Sequence, residues 1–324
     1  MNNRLLQAFY GNEKAKATLA LGWKGGRLPH AVLLEGESGA GKKTFARLIA
    51  AAAVCSGEER PCGVCRHCAK AMEGVHPDIR LIDGGESAKN LNVDAIREIR
   101  SSASVRPNEA ERKVYILADA QNMTVQAQNA LLKVLEEPPK GVVFVLTCEN
   151  RSALLETILS RVTLVRIENP PPALCEQVLH ELAPGHGEEE YRLAADVFDG
   201  NIGRAAASLG DAGFRRIVDG ADAIAKAAVQ GTEYDLLEQL AAFENDKDSF
   251  RACLRRVKAV FADLLRRKYL PEQRRDALGS GISALQCERI VAIIEAALQM
   301  MEQNMGYPLA SVWLCSQIKS ALNR

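Results

Sequence analysis

The stretch His30-Ala31-Val32-Leu33-Leu34-Glu35-Gly36-Glu37-Ser38-Gly39-Ala40-Gly41-Lys42-Lys43-Thr44 constrains this chain more than any other. A short apolar run ends in a glycine-rich loop, and residues of helical composition follow from Lys43 to Ala53. Such a run, closed by turn formers, predicts a buried strand. Glycines let the loop backbone curl so that successive N–H groups face one anion, and the helix behind presents its positive end. The spacing Gly36-x4-Gly41-Lys42 is that of a phosphate-binding P-loop. Gly39 lies inside the curl, and Lys42 is placed to meet the β and γ phosphates of ATP or ADP.

Further apolar runs at 79–82, 113–118, 142–147 and 162–166 predict more strands. Between them, Val93, Ile96, Ile99 and Ala103 share one helical face. A second helix is predicted over 124–136, capped by Thr124 and stopped by Pro138-Pro139. Short apolar strands alternating with helices imply an α/β fold, a mostly parallel sheet with helices on both faces. Pro170-Pro171-Pro172 breaks this pattern, so the first domain is expected over 1–169 and a run of short helices over 170–209. From 210 to 324 apolar residues such as Leu236, Leu240, Phe250, Val257, Ile290 and Ile294 recur at helical spacing, predicting an all-α domain.

Two positions depart from what ATP hydrolysis needs. The residue after the P-loop lysine is normally Ser or Thr, whose hydroxyl holds Mg²⁺. Lys43 stands there instead, and the hydroxyl falls one place later at Thr44, about 100° further round the helix. At the end of the strand 113–118 a pair of acids would hold the metal and position water. The first place is Ala118, and only the second, Asp119, is acidic. Nucleotide binding with little turnover is the expectation.

Cys55-x6-Cys62-x2-Cys65-x2-Cys68 gathers four of the nine cysteines. Two successive C-x2-C steps bring sulfurs within reach of one tetrahedral Zn²⁺, with no ligand place left open, so a structural zinc module is expected at 55–68. His67 is a competing ligand but lies between two better-placed cysteines, and an iron–sulfur cluster or, more weakly, a redox pair are the other readings of such cysteines. The remaining cysteines are scattered among apolar neighbours, which fits a reducing compartment.

The chain has 41 Lys+Arg against 41 Asp+Glu in 324 residues. That balance excludes a protein coated in basic charge that holds nucleic acid by phosphate contacts alone. The balance is a cancellation of patches: basic over 13–47 and 251–275, acidic over 181–199. No apolar run approaches the ~20 residues of a membrane helix. Met1-Asn2-Asn3-Arg4 does not open a signal peptide, so a cytoplasmic protein with no membrane partner is expected.

A P-loop core interrupted just after its helix by a four-cysteine module resembles the AAA+ clamp-loader subunits of bacterial DNA polymerase III. Gln128-Asn129-Ala130-Leu131-Leu132-Lys133-Val134-Leu135-Glu136-Glu137-Pro138-Pro139 resembles that family's helix after the second acidic motif. Thr147 stands at the sensor-1 position. Thr157-Ile158-Leu159-Ser160-Arg161 resembles the Ser-Arg turn of the arginine finger, followed by Val162 where the family usually has Cys. Gly200-Asn201-Ile202-Gly203-Arg204 resembles the sensor-2 segment, and Tyr307-Pro308-Leu309 falls where the family closes its collar. The resemblance implies an AAA+ core with a zinc module over 1–169, a helical lid over 170–209 and a helical collar over 210–324. It implies a ring with gamma/tau and delta subunits that loads a sliding clamp onto primed DNA in the replisome. Arg161 and Ser160 would then serve a neighbour's ATP in trans, while Lys43 and Ala118 favour a ring subunit that does not hydrolyse ATP over the gamma/tau ATPase. Read without the resemblance, Arg161 pairs with an acid or caps the preceding helix.

Overall fold

The computed structural model describes residues 4–24, 29–84, 91–243, 246–269, 281–302 and 305–322. Parts of the two basic patches, 25–28 and 270–275, lie outside the described residues. The chain divides into two compact units, Met1–Pro170 and Pro171–Arg324. No helix among the described residues is long and apolar enough to cross a membrane.

In the first unit, helices α1 (Arg4–Gln7) and α2 (Glu13–Lys24) precede strand β1 (Ala31–Glu35), helix α3 (Lys42–Val54) and helix α4 (Arg66–Glu73). Then come β2 (Ile79–Asp83), α5 (Val93–Ala103), β3 (Lys113–Ala118), α6 (Val125–Glu136), β4 (Val142–Cys148), α7 (Glu156–Leu159) and β5 (Thr163–Arg166). The strands form one five-stranded sheet in the order β2-β3-β4-β1-β5, and every pairing is parallel. The expected α/β sheet is therefore present, with strand ends within a residue of the apolar runs.

Strand side chains alternate between two apolar cores. Val32, Leu34, Val114, Ile116, Val143 and Val145 join Phe45 and Ile49 of α3 and Leu19 of α2 on one face. Leu33, Tyr115, Leu117, Phe144 and Leu146 join Ile96 and Ile99 of α5 and Leu131 and Leu135 of α6 on the other. A strand buried on both faces must be apolar at every position, which is why these runs do not alternate with polar residues. Because the strands are parallel, all their C-terminal ends emerge on one edge, the edge where ligands bind in such sheets. The Thr124 hydroxyl caps α6 by accepting from the Ala127 N–H at 3.2 Å.

The second unit is helical among its described residues: α8 (Pro172–Leu182), α9 (Glu188–Val197), α10 (Ile202–Ser208), α11 (Ala212–Gln230), α12 (Glu233–Ala241), α13 (Lys247–Tyr269), α14 (Ala284–Glu302) and α15 (Tyr307–Ala321). One apolar core runs through them from Cys175 to Leu322. Lys319 is buried in it and donates to the carbonyls of Ala227, Ala228 and Gly231 at 3.0, 3.1 and 2.6 Å, closing the C-terminal end of α11.

Candidate functional site

The P-loop joins β1 to α3 as its sequence predicts. Gly39 and Gly41 take φ of 82° and 91°, the left-handed region that a side chain disfavours, and Gly41 is the N-cap of α3. A Cβ at Gly36 would run into the Ile167 carbonyl oxygen beyond β5. Lys42 is buried at the loop, its ammonium donating to the carbonyls of Gly36 and Glu37, both at 2.8 Å. Burial holds its pKa below the usual lysine value, against the pull of Glu149, Asp119 and Cys148. The cradle fits a phosphate: curled glycines, an aligned helix N-terminus and a lysine turned into the loop.

The position after Lys42 behaves differently. The Lys43 ammonium donates to both Asp83 carboxylate oxygens at 3.0 Å and lies 3.1 Å from Asp119 Oδ2. Burial lowers its pKa, but the hydrogen bonds and charges of Asp83 and Asp119 outweigh this and leave it raised. Asp119 itself sits at φ 55°, and its backbone N–H donates to the Thr147 hydroxyl at 2.9 Å, so the fully buried Thr147 fixes the turn that aims Asp119. Thr44 is exposed on the first turn of α3.

Sequence reasoning missed Asp83. It ends β2, and parallel register places it beside Ala118 on β3. The carboxylate absent from β3 thus appears one strand away, a fact no local motif reveals. These residues do not fit a Mg²⁺ site. Magnesium takes hard oxygen donors, and here an ammonium stands where the hydroxyl belongs while both nearby carboxylates are turned onto it.

At the other end of α3, the sulfurs of Cys55, Cys62, Cys65 and Cys68 all lie within 4.8 Å of one another. Backbone N–H groups of Gly57 and Cys62 donate to Cys55 Sγ at 3.3 Å, that of Cys65 to Cys62 Sγ at 3.4 Å, and that of Cys68 to Cys65 Sγ at 3.4 Å. Burial pushes the Cys65 thiol up, but the Cys68 N–H and the Ser56 groups outweigh it and bring it down to about 5. Converging sulfurs with donors aimed at them fit a metal held by thiolates.

His67 is turned away from this cluster. Its Nδ1 is 2.9 Å from His76 Nε2, and the Asp78 N–H donates to His76 Nδ1 at 3.0 Å. That second bond leaves the neutral His76 ring its proton on Nε2, so Nε2 donates to His67 and is not a metal donor. Glu109, the third group there, is engaged by Lys70 at 2.7 Å. The pair is a buried hydrogen bond, not a second metal centre.

The Ser-Arg turn ends α7. Arg161 Nη2 pairs with Glu136 of α6 at 2.8 Å, while Nη1 donates to the Thr157 carbonyl at 2.8 Å and to Ser160 Oγ at 3.1 Å. In this chain by itself the arginine both pairs with an acid and caps its helix, and Glu136 is a partner the sequence did not announce. Arg204 lies in α10 of the second unit, its guanidinium 5.3 Å from the Phe198 ring centroid.

A parallel sheet with a P-loop at its C-terminal edge defines a P-loop protein, here with a four-cysteine knuckle behind the P-loop helix. Residues 11–171 match the family model described as DNA polymerase III, delta subunit. Over 157 residues the chain is 39% identical to DNA polymerase III subunit delta' of Bacillus subtilis (strain 168), covering 48% of this chain and 47% of that relative. Over 179 residues it is 31% identical to DNA polymerase III subunit gamma/tau of Mycobacterium tuberculosis (strain ATCC 25618 / H37Rv), covering 55% of this chain and 31% of that relative. Among solved structures, a mutant RuvB of Thermotoga maritima superposes with a TM-score of 0.45 at 15% identity, over 86% of this chain and 85% of that one. Over residues 11–171 the chain is thus similar to the delta-type and gamma/tau subunits of DNA polymerase III. The matches span about half the length of the Bacillus relative and about a third of the mycobacterial one.

Proposed function

We propose that this chain is the delta-prime-type subunit of a DNA polymerase III clamp loader, assembled with gamma/tau and delta subunits to load a sliding clamp onto primed DNA. The observation that carries this reading is the P-loop whose metal place holds Lys43, bridged to Asp83 and Asp119. Such a site retains phosphate binding and lacks the metal that organises phosphoryl transfer. Its contribution to hydrolysis would come from Arg161, positioned by Ser160 and delivered to the ATP of a neighbouring subunit. In the free chain Glu136 holds that guanidinium, so engagement in the ring exchanges a carboxylate for a phosphate. The residues 170–209 would serve as the lid, with Arg204 as nucleotide sensor, and 210–324 as the collar. The knuckle would hold one structural Zn²⁺ through Cys55, Cys62, Cys65 and Cys68. Its metal would lie at the far end of α3, about 20 Å from the P-loop for a thirteen-residue helix.

Reconstitution tests the assignment. The isolated chain should show negligible ATPase activity. Arg161→Ala should lower ATPase of the reconstituted ring, by up to about 10³–10⁵ at the site it serves. Unchanged ring activity would remove Arg161 from that role, and turnover by the isolated chain would support an active gamma/tau-like ATPase instead.

A further inference from the structure

We propose that the P-loop of this chain binds a nucleoside di- or triphosphate without magnesium, with the Lys43 ammonium standing in the metal's place. The inference rests on reading the P-loop as a nucleotide site and goes beyond it in naming the ligand's ionic form. Lys43 is the second residue of α3, immediately after the lysine that closes the loop. Its ammonium is held by three carboxylate oxygens on two strand ends, Asp83 of β2 and Asp119 following β3. Those strand ends lie along the edge on which the loop opens.

The arrangement has the logic of a metal site with the cation tethered. Two carboxylates would hold Mg²⁺ beside a phosphate; here they hold a covalently attached monocation with hydrogen-bond donors of its own. The charges decide the sign of the magnesium effect. Lys42 and Lys43 face Asp83, Asp119 and Glu149, so the side chains carry no surplus positive charge and attraction for phosphate comes from the loop N–H groups and the α3 N-terminus. A Mg²⁺ ion arriving on the nucleotide would meet the Lys43 ammonium and find the carboxylates already engaged. Magnesium should therefore leave binding unchanged or weaken it, the reverse of a P-loop that carries Ser or Thr at this position.

The test is titration of the full-length chain with fluorescent mant-ADP and mant-ATP, in EDTA and in excess MgCl₂. The wild type should bind at least as tightly in EDTA as in magnesium. Lys43→Thr, which supplies the missing hydroxyl and removes the ammonium from Asp83 and Asp119, should bind at least about tenfold more tightly with magnesium than without, or about 1.4 kcal/mol. Water-proton relaxation with Mn²⁺ gives a second reading, because a ternary Mn²⁺–nucleotide complex should form with Lys43→Thr and not with the wild type. Wild-type binding that tightens tenfold or more with magnesium would overturn the inference and leave the nucleotide site standing. Wild-type chain that binds neither probe in either buffer would overturn both. Lys42→Ala, expected to abolish binding in both buffers, separates loop binding from adventitious adsorption.

Discussion

The Asp78 carboxylate stands at the entry to β2 and accepts backbone N–H groups from Asn108, Glu109 and Ala110 at 2.6, 2.8 and 2.9 Å. Its own N–H fixes the His76 tautomer, so one residue ties the segment before β3 to the buried histidine pair beside the knuckle. Burial would raise its pKa, but those three donors outweigh it and hold the carboxyl below the ordinary 3.8. A folded-state pKa below the unfolded one contributes stability above the unfolded value, and that contribution is lost as pH falls through the folded one. Asp78→Asn should therefore lower stability at pH 7 by about 1–3 kcal/mol. The gap between wild type and variant in thermal melts should close as the pH is taken below about 4. A gap that stays constant down to pH 3 would assign the effect to packing rather than to charge. Residues of this kind are hard to read from sequence, as Asp83 also shows. Gly36, Gly41 and Lys42 announce themselves because their chemistry is local and their spacing fixed. Asp83 serves Lys43 across forty positions, and only the parallel register of β2 with β3 brings it beside Ala118.

Helix α3 carries the site's architecture, with the P-loop at its start and Cys55 at its C-cap. Its residues from Ala50 to Val54 are all buried, so any disturbance at the knuckle acts on a helix packed through the core. Cys68 reaches back to this helix, its Sγ 3.8 Å from the Ala51 carbonyl oxygen. Metal removal should accordingly loosen the segment 55–68 first. Metal analysis of reduced protein purified without added metal should find about one zinc per chain, as a four-thiolate site requires. Cys62→Ser should lower that content, and hydrogen exchange should rise over 55–73 while the amides of β1 and β4 stay protected. Folded, reduced protein with zinc near zero would rule the metal out. Elements were the most legible level of the structure. Strands buried on both faces, the Thr124 cap and the Pro138-Pro139 stop leave local marks that survive without any tertiary knowledge. The four cysteines of the knuckle were legible in the same way, from their spacing, whereas the pairing of His67 with His76 was not, because it joins side chains nine positions apart across the turn after α4.

Across the whole molecule the zero net charge conceals local fields, and the clearest among the described residues is the exposed end of α13, Arg266, Arg267 and Lys268. Two explanations compete for it. Basic residues in the last turn of a helix stabilise its C-terminal dipole, by about 0.3–1 kcal/mol each, whether or not a partner is present. As part of a collar in a ring, the same residues would meet acidic surface on a neighbouring subunit. The two differ in where the energy is lost. Reversal of Arg266 and Arg267 to Glu should cost the isolated chain no more than about 4 kcal/mol in denaturant melts, because each reversal removes a favourable dipole term and adds an unfavourable one, and it also breaks the Arg266–Asp263 pair at 3.4 Å. If the patch faces a partner, association with gamma/tau and delta subunits should weaken much further, mainly through slower association. The deficit should shrink as salt is raised, because a Debye length of about 10 Å at 0.1 M falls to about 3 Å at 1 M. Assembly that tracks the small stability loss, with no dependence on salt, would confine these charges to capping α13. A partner surface of this unit would then have to be sought on the apolar positions that the helices leave exposed, such as Leu309 and Val312 of α15.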